Sequence, residues 1–446
     1  MAELSLLKHR LHNLATGDGL KARLVRGGVG SAGIQAANRL LALALGIVLA
    51  RMLGPSGYGI YAYAFAIMSL LMVVAEAGVP TLLMREVAAS QGRAEWGLLR
   101  GALRRGAQFV ALAATSVSLL GLLVLWWFAG SLRPEVLYTT TMMLLVLPVA
   151  ALCKAIAHAM RGLHRVVVGQ AVDMLIRPLL VLIIVAVVFV AWPEYRQPYI
   201  AMAAQLLGAL VVLFIGVLVL RRLLPDKSRT TAPEYNSRQW LKSALPFTLI
   251  GGAGIINNQA DIIMLGWFME SEDVGVYRVV SQGAILLTFP LQAGSAVLGP
   301  WFARCYATED WGRMKNLYRK SARLTVLVTI PLLLVYLVAG EQVLGLIFGP
   351  RYAIGASALI FLSIGYFANV SFGPIGILLQ MANEENVTAY FLWAASFFNI
   401  ATNLALIPMY GINGAACATA VTVFTYHASL WLYYKRVFRD RKDLIQ

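Results

Sequence analysis

The stretch Leu53-Gly54-Pro55-Ser56-Gly57-Tyr58-Gly59-Ile60-Tyr61 separates two long apolar runs near the start of the chain. A second stretch, Asp273-Val274-Gly275-Val276-Tyr277, separates two apolar runs in the second half and contains the same Gly-x-Tyr sequence. The flanking runs are long enough to cross a bilayer, which takes about 20 apolar residues. A break of the same kind in both halves indicates a membrane protein with an internal repeat.

The composition supports the membrane class. Of the 446 residues, 59% are hydrophobic and 13% are charged, which excludes an ordinary soluble globular protein. The net charge of +16 is spread in short groups between apolar runs, so no nucleic-acid partner is predicted. Three separated cysteines and no metal-ligand spacing predict no metal site.

The apolar runs predict an all-α membrane protein with about twelve transmembrane helices in two six-helix lobes around a central cavity. The predicted spans are 29–50, 58–84, 107–129, 138–160, 166–191, 198–220, 242–267, 274–300, 321–339, 354–381, 387–407 and 412–434. The corresponding units are a cytoplasmic N-terminal segment 1–28 without a cleavable signal peptide, an N-lobe 29–220, a cytoplasmic linker 221–241, a C-lobe 242–434 and a cytoplasmic tail 435–446.

The distribution of Lys and Arg tests this arrangement, because these residues collect in cytoplasmic loops. Of the 37 Lys and Arg residues, five lie in or next to the predicted outer loops, one at each, and three more lie deep inside spans. All the others fall in or next to the predicted inner segments, so both termini are expected in the cytoplasm. Because Gly-x-Tyr follows the first helix of each half, the two halves have the same orientation and form a parallel repeat.

Several short motifs lie at predicted helix ends in a fixed order: Ala50-Arg51-Met52-Leu53-Gly54-Pro55, Tyr58-Gly59-Ile60-Tyr61-Ala62, Gly78, Arg85-Glu86, Asp261-Ile262-Ile263-Met264-Leu265-Gly266, Gly275-Val276-Tyr277, Phe348-Gly349-Pro350-Arg351-Tyr352 and Tyr410-Gly411-Ile412-Asn413-Gly414-Ala415-Ala416. In these motifs the chain resembles the polysaccharide-export branch of the multidrug/oligosaccharidyl-lipid/polysaccharide flippase superfamily, which includes the O-antigen flippases. The resemblance covers most of the length.

The resemblance implies a flippase of the bacterial inner membrane whose cavity opens alternately to either side. It implies a substrate made of an undecaprenyl-pyrophosphate-linked oligosaccharide, such as an O-antigen or another surface polysaccharide repeat unit. Membrane lipids and other glycan-assembly proteins are the further partners it suggests. The lipid II flippases of the superfamily usually have two additional C-terminal helices, and their absence here disfavours that branch.

Polar and cationic side chains within the first-lobe spans are the candidates for binding an anionic head group, because ionisable residues inside a membrane usually face a cavity. Gln35, Asn38 and Arg39 share one face of the first helix, with Arg39 near mid-membrane. Lys154 in the fourth helix and Arg177 in the fifth extend this cationic set. The alternative for Arg39 is a structural role, with the guanidinium bonded to backbone carbonyls.

Acidic residues within the spans, together with Arg278, are the candidates for coupling and gating. Asp261 is the best candidate for coupling to H⁺ or Na⁺, because burial favours its protonated form; no other cofactor is predicted. Its alternative is an ion pair with Arg278 that closes an outer gate. Glu76 could balance the cationic set or bind a proton, and Asp173 could simply neutralise Arg177 at i, i+4.

Other functions compete with this one. A multidrug or cation antiporter of the same fold should have an acidic or hydrophobic cavity, whereas the first-lobe spans contain more cations than carboxylates. A membrane enzyme of glycan polymerisation usually has a large external loop with catalytic residues, and the chain has neither such a loop nor a phosphate-loop, zinc-protease or nucleophile-elbow motif. An accessory protein of glycan polymerisation would not require intramembrane charges. The sequence therefore predicts a transport protein and not an enzyme.

Overall fold

A computed structural model describes residues 20–440, apart from the side chains of residues 20–29, 32, 250 and 438–440. Every regular element in this range is helical, and no β-strand occurs in it. Most of the predicted N-terminal segment 1–28 and the end of the predicted tail 435–446 lie outside the described residues. The all-α fold class and the two-lobe architecture are confirmed.

The long helices are numbered by membrane crossing. They are α1 and α2, the arms of Leu20–Glu76 before and after Gly54; α3, Trp96–Trp127; α4, Pro134–Gly162; α5, Val166–Ala191; α6, Pro198–Leu223; α7, Ser237–Phe268; α8, Ser271–Ala307; α9, Trp311–Phe348; α10, Ala356–Ser371; and α11 and α12, the arms of Glu385–Asp440 before and after Gly411. Shorter helices are Val79–Gly92, Asp226–Thr230 and Ile375–Met381.

The count of about twelve crossings agrees with the prediction. Within the described residues, nine helical segments are long and apolar enough to cross a membrane. Two of these, Gly33–Glu76 and Glu385–Val437, are each bent at a glycine and contain two crossings. The remaining crossing is α7, which is less apolar because it contains consecutive amide side chains and Asp261.

Glycine makes the two sharp bends possible. Gly54 has φ of +69° and Gly411 has φ of +55°, a left-handed conformation that residues with a Cβ rarely adopt. Pro55 then begins α2, where its missing N–H has no helical partner to lose. The bend at Gly54 shortens the predicted loop, so that α2 begins at residue 55 instead of 58. The predicted span 58–84 is also divided, because Gly78 separates α2 from the helix Val79–Gly92.

The two lobes meet through α2 and α8, which pack closely at the predicted outer side. A Cβ on Gly59 would collide with the carbonyl oxygen of Ser271 and lie 2.9 Å from the Gly275 nitrogen. A Cβ on Gly275 would collide with the carbonyl oxygen of Pro55 and lie 3.0 Å from the Gly59 nitrogen. The contact is therefore reciprocal, and the glycines of the two Gly-x-Tyr copies face each other across the lobe interface.

Further contacts close the same side. Arg51, at the end of α1, donates a hydrogen bond to the Ile347 carbonyl at 2.8 Å and another to the Leu346 carbonyl, both at the end of α9. Tyr352 donates from its hydroxyl to the Ala50 carbonyl at 2.9 Å. These bonds join the first-lobe motif that contains Arg51 to the second-lobe motif that contains Tyr352. We call this group of contacts, with Gly59 and Gly275, the outer seal.

On the predicted inner side, the start of α7 packs against Val79–Gly92. The Trp240 ring nitrogen donates to a Glu86 carboxylate oxygen at 3.2 Å, and Arg85 lies over the Phe247 ring. The connection between the lobes is partly helical, because α6 continues to Leu223 and α7 begins at Ser237. The irregular part of the predicted linker 221–241 is therefore shorter than predicted, because both ends of this range are helical.

Gly59→Leu is expected to prevent the outer seal from closing, because its side chain would occupy the space of the Ser271 backbone. The measurement is cross-linking of Arg133→Cys to Glu270→Cys, two exposed side chains 3.8 Å apart across the lobes, in a background without native cysteines. Cross-linking should fall several-fold in the Gly59 variant. Gly251→Ala is the control, since a Cβ there meets nothing within 4 Å. Unchanged cross-linking in Gly59→Leu would show that the seal does not depend on this contact.

Candidate functional site: a polar cavity between the lobes

A cavity of about 790 Å³ lies between the lobes, on the inner side of the outer seal. Its first-lobe wall comes from α1, and its second-lobe wall comes from α7, α8, α10, α11 and α12. Apolar side chains and amides line most of it. The predicted central cavity is therefore present, and the second lobe contributes the greater part of its surface.

Two cations face this cavity. Arg39 reaches it from α1, and Arg278 reaches it from α8. Arg278 and Gln282 also lie beside the hydroxyl of Tyr58, which belongs to α2. Arg278 is thus shared between the cavity and the lobe interface, because the second turn of α8 follows directly on the outer seal.

The other polar residues predicted on α1 are placed differently. Gln35 is exposed and its amide nitrogen lies 3.4 Å from the Ser31 hydroxyl, while Asn38 is half-buried. Neither residue lines the cavity in this conformation. Their predicted contribution to substrate binding stays a prediction.

Lys154 is paired inside the first lobe. Its ammonium group donates to a Glu76 carboxylate oxygen at 2.7 Å, so the two side chains form an ion pair within the first lobe. The coupling or gating role of Glu76 stays a prediction. His158, one turn further along α4, bonds through its ring to the Lys154 carbonyl oxygen and lies 3.4 Å from Arg161. Neither Lys154 nor Glu76 lines the cavity between the lobes.

Asp173 and Arg177 do not form the predicted i, i+4 pair. Asp173 instead lies 3.7 Å from Arg161 of α4. The segment between the two residues is not a regular α-helix, because Val172–Ile176 forms a π-helical turn. Arg177 is half-buried near Tyr61 and Cys153, away from the cavity.

Asp261 is buried at the second-lobe wall of the cavity and held by three donors. Its carboxylate accepts hydrogen bonds from the Tyr277 hydroxyl at 2.8 Å, from the Asn403 amide at 2.8 Å and from the Thr419 hydroxyl. Among the described residues, no ion pair of Asp261 with Arg278 is formed. The predicted alternative of a closing Asp261–Arg278 pair is thus not seen in this conformation.

The repeat gives Tyr277 a counterpart in the first lobe. Tyr61 accepts a hydrogen bond from Gln205 of α6 at 2.9 Å, and Tyr277 lies 3.3 Å from Thr419 of α12. Each tyrosine of Gly-x-Tyr therefore contacts the last helix of its own lobe. Tyr277, Asn403 and Thr419 are partners of Asp261 that were not predicted from the sequence, although Tyr277 belongs to the repeated Gly-x-Tyr.

Two six-helix lobes that enclose a polar cavity, sealed on one side of the membrane, are the architecture of an alternating-access membrane carrier. Residues 24–306 match the model of the polysaccharide biosynthesis protein family, and residues 255–405 match that of the MatE family. The chain belongs to the polysaccharide biosynthesis protein family, in the polysaccharide branch of the multidrug/oligosaccharidyl-lipid/polysaccharide flippase superfamily. The resemblance read from its motifs is confirmed.

Similar curated proteins carry related names. The probable low-salt glycan biosynthesis flippase Agl15 of Haloferax volcanii is 23% identical over 46% of this chain and 44% of its own length. The capsular polysaccharide biosynthesis protein CapF of Staphylococcus aureus is 23% identical over 44% of this chain and 49% of its own length. The chain thus spans about half the length of the curated relatives that it matches.

Solved structures share the fold. The inward-facing conformation of a multidrug resistance MATE family transporter superposes with a TM-score of 0.74 at 14% identity, over 93% of this chain and 99% of that one. The lipid II flippase MurJ in its inward closed conformation superposes with a TM-score of 0.68 at 14% identity, over 91% of this chain and 87% of that one. At such identity the likeness shows the two-lobe fold.

The Lys154–Glu76 contact generates a test that separates a structural from a substrate-binding role. Because the pair is partly buried, Lys154→Gln should lower thermal stability, and the double variant Lys154→Gln/Glu76→Gln should recover part of the loss. A double-mutant cycle on the detergent-solubilised protein should give a coupling of about 0.5–3 kcal/mol. A Lys154→Gln protein that keeps its stability but loses substrate binding would instead place Lys154 in the substrate site.

Proposed function

We propose that the protein is a flippase that moves an undecaprenyl-pyrophosphate-linked oligosaccharide, a surface polysaccharide repeat unit, across the bacterial inner membrane by alternating access, with both termini in the cytoplasm. The observation that carries the proposal is the cavity of about 790 Å³, sealed on the predicted outer side and lined by Arg39 and Arg278. A sugar pyrophosphate is large, polar and anionic, so it requires a shielded cationic compartment to cross hydrocarbon.

The charge of the cavity supports an anionic substrate. Arg39 and Arg278 face it with guanidinium groups, which suit phosphate oxygens because their donors lie in a planar fork. The carboxylate that lines it, Asp261, already accepts three hydrogen bonds from protein donors. A cationic drug would meet two repelling charges there, so this geometry favours a lipid-linked glycan over the antiporter alternative.

The names of the relatives agree with a role in glycan assembly, and one of them with transport. Agl15 is named a probable flippase of glycan biosynthesis, and CapF is named a capsular polysaccharide biosynthesis protein. Neither name describes an enzyme, and the helices of each lobe are joined by short connections on the predicted outer side. A polymerase of glycan units, which needs a catalytic surface there, is the less favoured alternative.

Asp261 is the proposed coupling residue. It connects α7 to α8, α11 and α12 through its three donors. A proton or a Na⁺ ion at this carboxylate would therefore alter the hydrogen bonds that join four helices of the second lobe. The unpartnered amide oxygens of Asn399 and Asn403 lie on α11 beside it, and such oxygens are suitable ligands for a cation. H⁺ and Na⁺ are both compatible with this arrangement.

Removing the cavity cations should abolish flipping without preventing insertion. In a host that lacks the gene, Arg39→Ala and Arg278→Ala should each leave complete lipid-linked repeat units at the cytoplasmic face, with flux reduced at least tenfold, whereas Arg39→Lys should retain part of it. Arg93→Ala, which removes an exposed charge outside the cavity, is the matched control. Normal flipping with unpolymerised units at the outer face would instead indicate a polymerisation role.

Asp261→Asn should fold and insert but lose at least tenfold of the transport rate, because an amide of the same shape neither ionises nor carries a proton. Transport by the wild-type protein in proteoliposomes should respond to an imposed H⁺ or Na⁺ gradient, and the variant should not respond to either. Asp226→Asn, at an exposed position in the linker that joins the lobes, serves as the control. Wild-type transport with an intact gradient response in Asp261→Asn would remove the coupling role.

A further inference from the structure

Unpartnered polar atoms are concentrated at the cavity. Thirteen buried side-chain nitrogen and oxygen atoms in the described part of the chain lack a hydrogen-bond partner, and six of them belong to residues that line this one cavity. A buried polar atom without a partner is destabilising, so native structures contain few of them unless a ligand or water completes them. The six are Oδ1 of Asn257, Oε1 of Gln259, Oε1 of Gln282, Oδ1 of Asn369, Oδ1 of Asn399 and Oγ1 of Thr422.

All six atoms lie in the second lobe. Two of them belong to side chains that interact with a polar group other than a ligand in the cavity. Asn399 belongs to the group around Asp261, and Gln282 faces Tyr58 and Gly46 across the lobe interface. Asn257 and Gln259 on α7, Asn369 on α10 and Thr422 on α12 have no such explanation. These four residues, which we call the amide wall, come from three helices that surround one side of the cavity.

The chemistry of the amide wall differs from that of the arginines. A carboxamide both donates and accepts hydrogen bonds, as does a hydroxyl group, so amides and threonine match the hydroxyls of a sugar. A pyrophosphate only accepts hydrogen bonds, so it could use only the donor groups of these side chains. The amide wall contains no charge, whereas Arg39 and Arg278 bring two positive charges to the same cavity.

We propose that the amide wall is the glycan subsite of the cavity, and that it binds the hydroxyl groups of an uncharged sugar while Arg39 and Arg278 bind the pyrophosphate. The inference rests on the proposed function, which it extends from a cationic cavity to two chemically distinct subsites. The sugar next to the phosphate is therefore neutral and rich in hydroxyls, because an acidic sugar at the amide wall would have no cation of this wall to pair with.

The test is a binding measurement on the purified full chain in nanodiscs. Two probes are compared: the lipid-linked oligosaccharide extracted from a host that lacks the gene, and undecaprenyl diphosphate without sugar. Asn257→Leu/Asn369→Leu should weaken binding of the glycosylated probe roughly tenfold or more, which corresponds to about 1.4 kcal/mol, and leave that of the bare diphosphate within twofold. Arg278→Ala should weaken both probes.

Two further variants complete the test, one of them a control. Gln170→Leu removes an amide whose oxygen is also unpartnered but which lies in the first lobe away from this cavity, and it should change neither affinity. Thr422→Val, which is isosteric, should weaken the glycosylated probe selectively by a smaller factor, and it serves if the double variant does not fold.

The outcomes separate the two proposals. If the wild-type chain binds both probes equally, or if the amide-wall variants weaken both probes to the same extent, the glycan subsite is wrong while a flippase with a cationic cavity stands. If the wild-type chain binds neither probe, the proposed function itself is wrong. Selective loss of the glycosylated probe in the amide-wall variants supports the subsite.

Discussion

The approach of α2 to α8 at Gly59 and Gly275 is the constraint on which the site depends. Because both residues are glycines without a Cβ, the two helices come within backbone contact and close the lobes on one side of the membrane. The same approach brings Tyr58 beside Arg278 and places Tyr277 under the seal, where its hydroxyl reaches Asp261. The cavity is therefore the space that remains on the other side of this contact. Arg278 and Tyr277, the hydrogen-bond partner of Asp261, both belong to α8, the helix that forms the contact.

The repeat has diverged in chemistry while it has kept its geometry. In the first lobe, four intramembrane charges pair within the lobe, as Lys154–Glu76 and Arg161–Asp173, while Arg39 faces the cavity. In the second lobe, many polar groups face the cavity, and several amide oxygens have no protein partner. The first lobe thus pairs most of these charges internally, and the second lobe supplies most of the cavity wall. An asymmetric substrate with an anionic part and a neutral part suits this difference.

Much of the fold could be predicted because membrane helices are local features: apolar runs, the Lys and Arg distribution and the repeated Gly-x-Tyr each depend on residues close in sequence. Asp261 and Arg39 could be predicted as candidate site residues for the same reason, since a charge within an apolar run is visible without a structure. The pairing of Lys154 with Glu76 was not predictable in detail, because it joins α4 to α2 across many residues. The π-helical turn before Arg177 has no sequence signal of comparable strength, and the contact of Asp173 with Arg161 joins α5 to α4, which the sequence spacing does not reveal.

Arg278 connects the substrate site with the outer seal under the proposed function. Its guanidinium lies beside the Tyr58 hydroxyl of the opposite lobe and also faces the cavity. An anion bound in the cavity competes with Tyr58 for the same donors, so its binding weakens one of the interactions that hold α2 against α8. Backbone contact at Gly59 and Gly275 is insensitive to charge and keeps the seal closed in the absence of substrate. The side on which the cavity opens can thus respond to its occupancy, because the residue proposed to bind the pyrophosphate belongs to the helix that closes the seal.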